Sequence, residues 1–196
     1  MAGKDPEYLA ELMAHEAYPG HMLQQTTLKA GSLSDYRKIA HFPTYIEGWA
    51  QYAESHAIGS VDANTSLKRL HQVRLQISIA LAFRLDLGVH YQGWGLPEVS
   101  DYVAAFDPAR VKEQPDIAEN LFKTVTVMPL EYAPYALGAH EMEQLRADYE
   151  AQMGPAYSLR QFHEEVLTLG PAPYSLLRDW MGLPAQDAAQ SLEEAA

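Results

Sequence analysis

The chain has 196 residues, no cysteine, and 26 acidic against 14 basic side chains, for a formal charge of −12. A chain of this length can bury about 70% of its unfolded surface in one core. The absence of cysteine excludes disulfides, thiolate metal sites, iron–sulfur clusters and cysteine nucleophiles, so any metal must be held by imidazoles and carboxylates. The acidity, with no Lys/Arg stripe to offset it, excludes a nucleic-acid partner.

Residues 1–8 are polar and lack the basic start and apolar stretch of a signal peptide. No later stretch is apolar enough to span a bilayer, so the cytoplasm is the default location. Apolar residues recur at helical spacing throughout, and the fold class expected is all-α, with a metal-binding domain over residues 1–183 and a tail over 184–196. The tail is expected to be a short helix or frayed, without a function. In chain order the predicted helices are Glu7 to Tyr18, His21 to Ala30, Thr44 to Ile58, Ser66 to Val89, Leu96 to Phe106, Pro115 to Lys123, Leu130 to Gln152, Ser158 to Leu169 and Pro173 to Met181. Thr124 to Val127 is the one strand-like piece. Asp107-Pro108, Gln114-Pro115, Gly154-Pro155 and Gly170-Pro171 punctuate the pattern, since proline cannot donate to the preceding turn.

Chemistry first appears in His15-Glu16-Ala17-Tyr18-Pro19-Gly20-His21. Two histidines four apart on one helical face can hold an ion while an adjacent glutamate polarises water. Here the spacing is six, which on a regular helix leaves the imidazoles about 120° apart around the axis. Pro19 and Gly20 lie between them, and a break there could turn His21 back towards His15. The second segment is Glu47-Gly48-Trp49-Ala50-Gln51-Tyr52-Ala53-Glu54. Glu47, Gln51 and Glu54 share a helical face, so one glutamate can bind metal while the other orients a ligand imidazole. We favour Glu47 as the ligand and Glu54 as its support, with the reverse assignment left open. A His-Glu pair alone is more often an ordinary surface pair; the Pro-Gly break and the downstream glutamates tip the balance towards metal. His41, His56, His71, His140 and His163 have no such spacing and are expected at the surface or core edge.

With these segments in view, the chain resembles almost end to end the catalytic part of the bacterial family called domain of unknown function 885, helical zinc peptidases of the glutamate-zincin kind. Three further patterns carry the resemblance: Arg84 to Trp94 is similar to the family's Arg-x-x-Asp-x-Gly-x-His-x-x-Gly-Trp, one residue shorter between Arg84 and Asp86; Pro129 to Gly138 places Tyr135 at the pattern's tyrosine; and Leu159-Arg160-Gln161-Phe162-His163 matches its closing motif. The chain departs from the family at Met22, where a second histidine is common, and at Glu131, where glutamine is common. Family members also carry several hundred residues before this region, which implies a homo-oligomer or a missing N-terminal partner region for the present chain.

The resemblance implies a zinc-dependent hydrolase acting on an amide bond in a peptide or other small amide substrate. His15, His21 and Glu47 would hold zinc, with Glu54 behind them and Glu16 as general base. His90 and Tyr135 would donate to the tetrahedral oxyanion. Arg84 would bind a substrate carboxylate, unless Asp86 pairs with it and makes it structural. Two readings of other classes stand beside this one: a metal-binding interaction or structural domain without efficient catalysis, and a hydrolase or lyase of small metabolites.

Overall fold

The computed structural model describes residues 6–60 and 65–185; most of the expected tail, residues 186–196, lies outside the described residues. The described residues are helical, with no strand among them. The helices are α1 (Pro6–Glu16), α2 (His21–Ala30), α3 (Asp35–Ile39), α4 (Pro43–Ser60), α5 (Thr65–His90), α6 (Leu96–Phe106), α7 (Pro108–Glu113), α8 (Ile117–Val127), α9 (Ala133–Met153), α10 (Leu159–Leu169) and α11 (Tyr174–Trp180). None of them is long and apolar enough to cross a membrane.

The central contact is α4 against α9. Tyr45, Trp49 and Tyr52 recur at i, i+4 and i+7 on α4, while Met142, Leu145 and Tyr149 recur at i, i+3 and i+7 on α9, and these rows meet Phe162 and Val166 of α10 and Leu177 of α11 in one buried cluster. Two glycines let the backbones touch. A Cβ added to Gly48 would lie 2.5 Å from the Gly138 carbonyl carbon, and one added to Gly138 would lie 2.1 Å from the Thr44 carbonyl oxygen. Gly48→Ala is therefore expected to destabilise the fold by about 1–3 kcal/mol, because backbone cannot move aside as a side chain can. Thermal unfolding followed by circular dichroism would register it as a drop of several degrees, and an unchanged midpoint would contradict the close crossing.

A second cluster joins Leu81 and Leu85 of α5 to Val99 and Val103 of α6 and Val125 of α8. It corrects the strand-like reading of Thr124 to Val127, which is the last turn of α8. Val125 is fully buried in that cluster, and the Thr124 and Thr126 hydroxyls donate to the carbonyls of Asn120 and Phe122, four residues back. Burial and satisfied hydroxyls outweigh the β preference of the four residues. Sequence reading also missed two short helices, α3 and α7. Each is opened by a capping side chain, Ser34 accepting from the Arg37 N–H and Asp107 from the Arg110 N–H.

The start of α9 differs from expectation as well. Leu130 has φ +62°, the left-handed region, and so cannot open a helix. Its N–H instead donates to Oδ2 of Asp86, a fully buried carboxylate on α5. Asp86 thereby pins the turn between α8 and α9 and fixes where Glu131 and Tyr132 point. On the outer side of α5, Leu70, Val73 and Ile77 form an exposed apolar row at i, i+3 and i+7.

Candidate metal centre

The break between α1 and α2 is short: α1 ends at Glu16, and α2 begins at His21 after Ala17 to Gly20, with the Tyr18–Pro19 peptide cis. Gly20 packs on the end of α1 so closely that a Cβ would fall 1.7 Å from the His15 carbonyl oxygen. The Pro19 carbonyl accepts the indole N–H of buried Trp49 at 3.1 Å, tying the break to α4. The interrupted phase does what an unbroken helix at this spacing could not. The His15 and His21 ring centroids lie 4.9 Å apart at 88°.

Glu47 of α4 faces both rings. Its Oε2 lies 3.5 Å from His15 Nε2 and 3.4 Å from His21 Nε2, and among the described residues His15, His21 and Glu47 form the one group of three whose ligating atoms all fall within 4.8 Å of each other. That Oε2 is buried and has no hydrogen bond of good geometry. A buried carboxylate oxygen left so is costly, and a cation shared with the two imidazoles would satisfy it. Two imidazoles and a carboxylate are a donor set suited to zinc.

Glu54 sits behind His15. The Nδ1–H of His15 donates to Glu54 Oε2 at 3.1 Å, and that oxygen also accepts from Gln51 Nε2 at 3.3 Å. The hydrogen bond orients the ring and turns Nε2 towards Glu47 and His21. The sequence placed Gln51 on the same helical face as the two glutamates but gave it no role; its hydrogen bond to Glu54 supplies one.

The pKa values describe the metal-free centre. Burial pulls the His15 pKa down, but the carboxylates of Glu47 and Glu54 beside it more than compensate and leave it raised to about 9. Burial likewise opposes ionisation of Glu47, yet the two imidazoles and Tyr135 lower its pKa to about 2. Tyr135, on α9, is raised to about 12 by burial and then by the Glu47 charge, so its hydroxyl remains a donor at neutral pH. Its ring stacks 6.0 Å from that of His15. Exposed Glu16 lies close enough for its charge to act on the Tyr135 hydroxyl.

Two expected site residues are placed elsewhere. His90 closes α5, and its Nε2 donates to the Val125 carbonyl at 2.9 Å. It lies eleven residues beyond Ile79, the last α5 residue at the metal side, or roughly 16 Å along the helix axis. Arg84 neither faces the cluster nor pairs with Asp86. Its guanidinium lies 4.3 Å from the Trp94 ring centroid and 5.2 Å from that of Tyr102, a packing role.

Two cavities adjoin α4. One, of about 370 Å³, opens beside His15 and Tyr135. The other is larger, about 1020 Å³, and is lined by Trp49, Tyr52, His56 and His163 among others. There burial lowers the His163 pKa to about 4, and its neutral Nε2 accepts from the Tyr52 hydroxyl at 2.8 Å. Size alone favours the second, but His15, one of the three converging side chains, lines the first together with Tyr135 and Glu54.

A family model described as bacterial protein of unknown function, DUF885, matches residues 6–181. Among solved structures, a candidate lipoprotein from Colwellia psychrerythraea is 26% identical with a TM-score of 0.73. A candidate lipoprotein of unknown function from Shewanella oneidensis is 23% identical with a TM-score of 0.75. Each is matched by 90% of the present chain, which spans 31% and 32% of their respective lengths. No curated protein matches the sequence.

Proposed function

The chain belongs to the DUF885 family, and from that premise and the convergence of His15, His21 and Glu47 we propose that it carries a zinc-dependent hydrolase site acting on an amide bond in short peptides. The observation that carries the reading is the buried Glu47 Oε2, facing two imidazole nitrogens at 3.4 and 3.5 Å without a hydrogen bond of good geometry. His15, His21 and Glu47 hold the ion, and Glu54 orients His15. Bound zinc would supply Lewis acidity for a carbonyl and bring the pKa of water towards neutrality. Glu16 takes the proton of the attacking water and passes it to the leaving amine nitrogen. Tyr135 keeps its phenolic proton and donates to the developing oxyanion.

The test is metal analysis of the purified chain together with hydrolysis of short peptides before and after chelation. Bound zinc without any hydrolysis would favour the second reading, a metal-binding interaction domain. The exposed row on α5 then serves a second copy or a separate partner region. The similarity to the Colwellia candidate lipoprotein favours a location outside the cytoplasm over the cytoplasmic default.

Metal binding should also be coupled to protons. With His15 raised to about 9 in the metal-free chain, its Nε2 proton must leave before an ion can enter. Zinc affinity is expected to rise about tenfold per pH unit between neutrality and pH 9, with one proton released, and then to level off. Calorimetry in buffers of different ionisation enthalpy measures that proton. A flat profile would mean that His15 is already neutral.

A further inference from the structure

The motif from Arg84 to Trp94 does not reach the metal cluster, but two of its side chains grip the segment that leads to it. Asp86 and His90 stand four apart on α5 and so share a face of that helix. His90 Nε2 donates to the Val125 carbonyl in the last turn of α8, an oxygen whose helical partner four residues on would be Pro129, which has no N–H. Asp86 Oδ2 accepts from the Leu130 N–H on the far side of that proline. The gripped segment runs into a wall of the 370 Å³ cavity, which Met128, Glu131, Tyr132 and Tyr135 line together with His15. Tyr135 sits in the first turn of α9, and its ring stacks on that of His15 at 6.0 Å.

Among the described residues little else fixes this turn. Leu130 holds φ +62°, which a leucine adopts only at a cost, and its side chain is exposed, so burial of the leucine does not compensate. The backbone bonds across the turn are long, 3.4 Å from the Glu131 nitrogen to the Met128 carbonyl and 3.3 Å from the Ala133 nitrogen to the Leu130 carbonyl. Tyr132, the residue before α9, gives that helix no side-chain cap, and the crossing of Gly48 with Gly138 fixes α9 only beyond Tyr135. Asp86 is fully buried, and its Oδ1 has no hydrogen-bond partner among the described residues. An oxygen left so destabilises the fold, so stability alone does not account for a carboxylate at this position. Resting on the hydrolase reading, we propose that Asp86 and His90 are positioning residues, a two-point clamp on the α8–α9 turn that sets the Tyr135 hydroxyl where the oxyanion develops at the metal centre. Both act through the backbone. Asp86, the nearer of the two, lies roughly 10 Å along α5 from Ile79 at the cavity and touches neither ion nor substrate.

The experiment follows peptide hydrolysis, zinc content and, in the metal-free whole chain, nuclear Overhauser contacts between the His15 and Tyr135 rings. Asp86→Ala is expected to lower kcat by about tenfold to a hundredfold with KM and zinc content unchanged, and to lose the ring contacts. Asp86→Asn keeps an oxygen that can accept from the Leu130 N–H and should restore most of both. Tyr135→Phe removes the hydroxyl itself, and in that background Asp86→Ala should slow hydrolysis by less than about twofold further, because the two substitutions delete one interaction. His90→Ala releases one grip at an exposed side chain and leaves the core filled. It should reproduce the pattern in smaller measure, and it decides the question if Asp86→Ala does not fold. Ring contacts kept in every variant, or losses of kcat that multiply between Asp86→Ala and Tyr135→Phe, would overturn the clamp. If the parent chain hydrolyses nothing, the hydrolase reading falls and the ring contacts alone decide whether the clamp places Tyr135. Hydrolysis that neither Asp86→Ala nor His90→Ala slows would sink the clamp and leave the hydrolase reading standing.

Discussion

Glu16→Gln is expected to hold zinc as the parent chain does while hydrolysing peptides at least about a hundredfold more slowly. The two halves of that result have separate causes. Glu16 is exposed at the last turn of α1 and lies outside the ligand group, so an amide of the same shape disturbs neither His15 nor the Gly20 contact behind it. The amide cannot accept a proton from water, so the loss falls on the chemical step. Zinc content by elemental analysis and single-turnover rates on one peptide separate the two. If zinc is lost with the substitution, Glu16 is a structural ligand; if the rate is unchanged, the proton goes elsewhere.

The two segments that meet at the candidate metal centre were legible in the sequence because their signal is local. The Pro-Gly insertion in a six-residue His spacing already implied a broken helix, and the offsets of 47, 51 and 54 already implied one shared face. What sequence could not supply was placement by distant elements. His90 and Arg84 lie in a motif with every appearance of chemistry, yet α5 is long enough to carry them away from the cluster, where Val125 and Trp94 engage them. Asp86 in the same motif has a structural task, holding the Leu130 N–H across 44 positions of sequence. The strand-like Thr124 to Val127 failed for a related reason, since the burial that keeps it helical comes from α5 and α6. Short helices such as α3 and α7 carry too few apolar positions for periodicity to show, and their caps were the signal available.

Glu47 and Glu54 share a helix face and differ in what they meet, so their amide variants should part sharply. Glu47→Gln replaces the oxygen that lies 3.4 and 3.5 Å from the two imidazole Nε2 atoms, and an amide is a poor partner for a divalent ion; zinc binding should be nearly abolished. Glu54→Gln leaves the ligand group intact but weakens the hold on His15 Nδ1, and the cost expected is about tenfold to a hundredfold in affinity. The metal-free proteins offer an independent reading. Both carboxylates raise the His15 pKa, so the stability this contributes is fully present below the ordinary imidazole pKa of 6.5 and is lost as pH rises through about 9. Each variant should lower the His15 pKa and move that loss to lower pH, as imidazole proton shifts followed by NMR would show. The discriminating pattern is a similar effect of the two variants on His15 titration combined with a large difference in zinc affinity. A Glu54→Gln chain that loses zinc, beside a Glu47→Gln chain that keeps it, would exchange the two roles and place the ion on the Nδ1 side of His15.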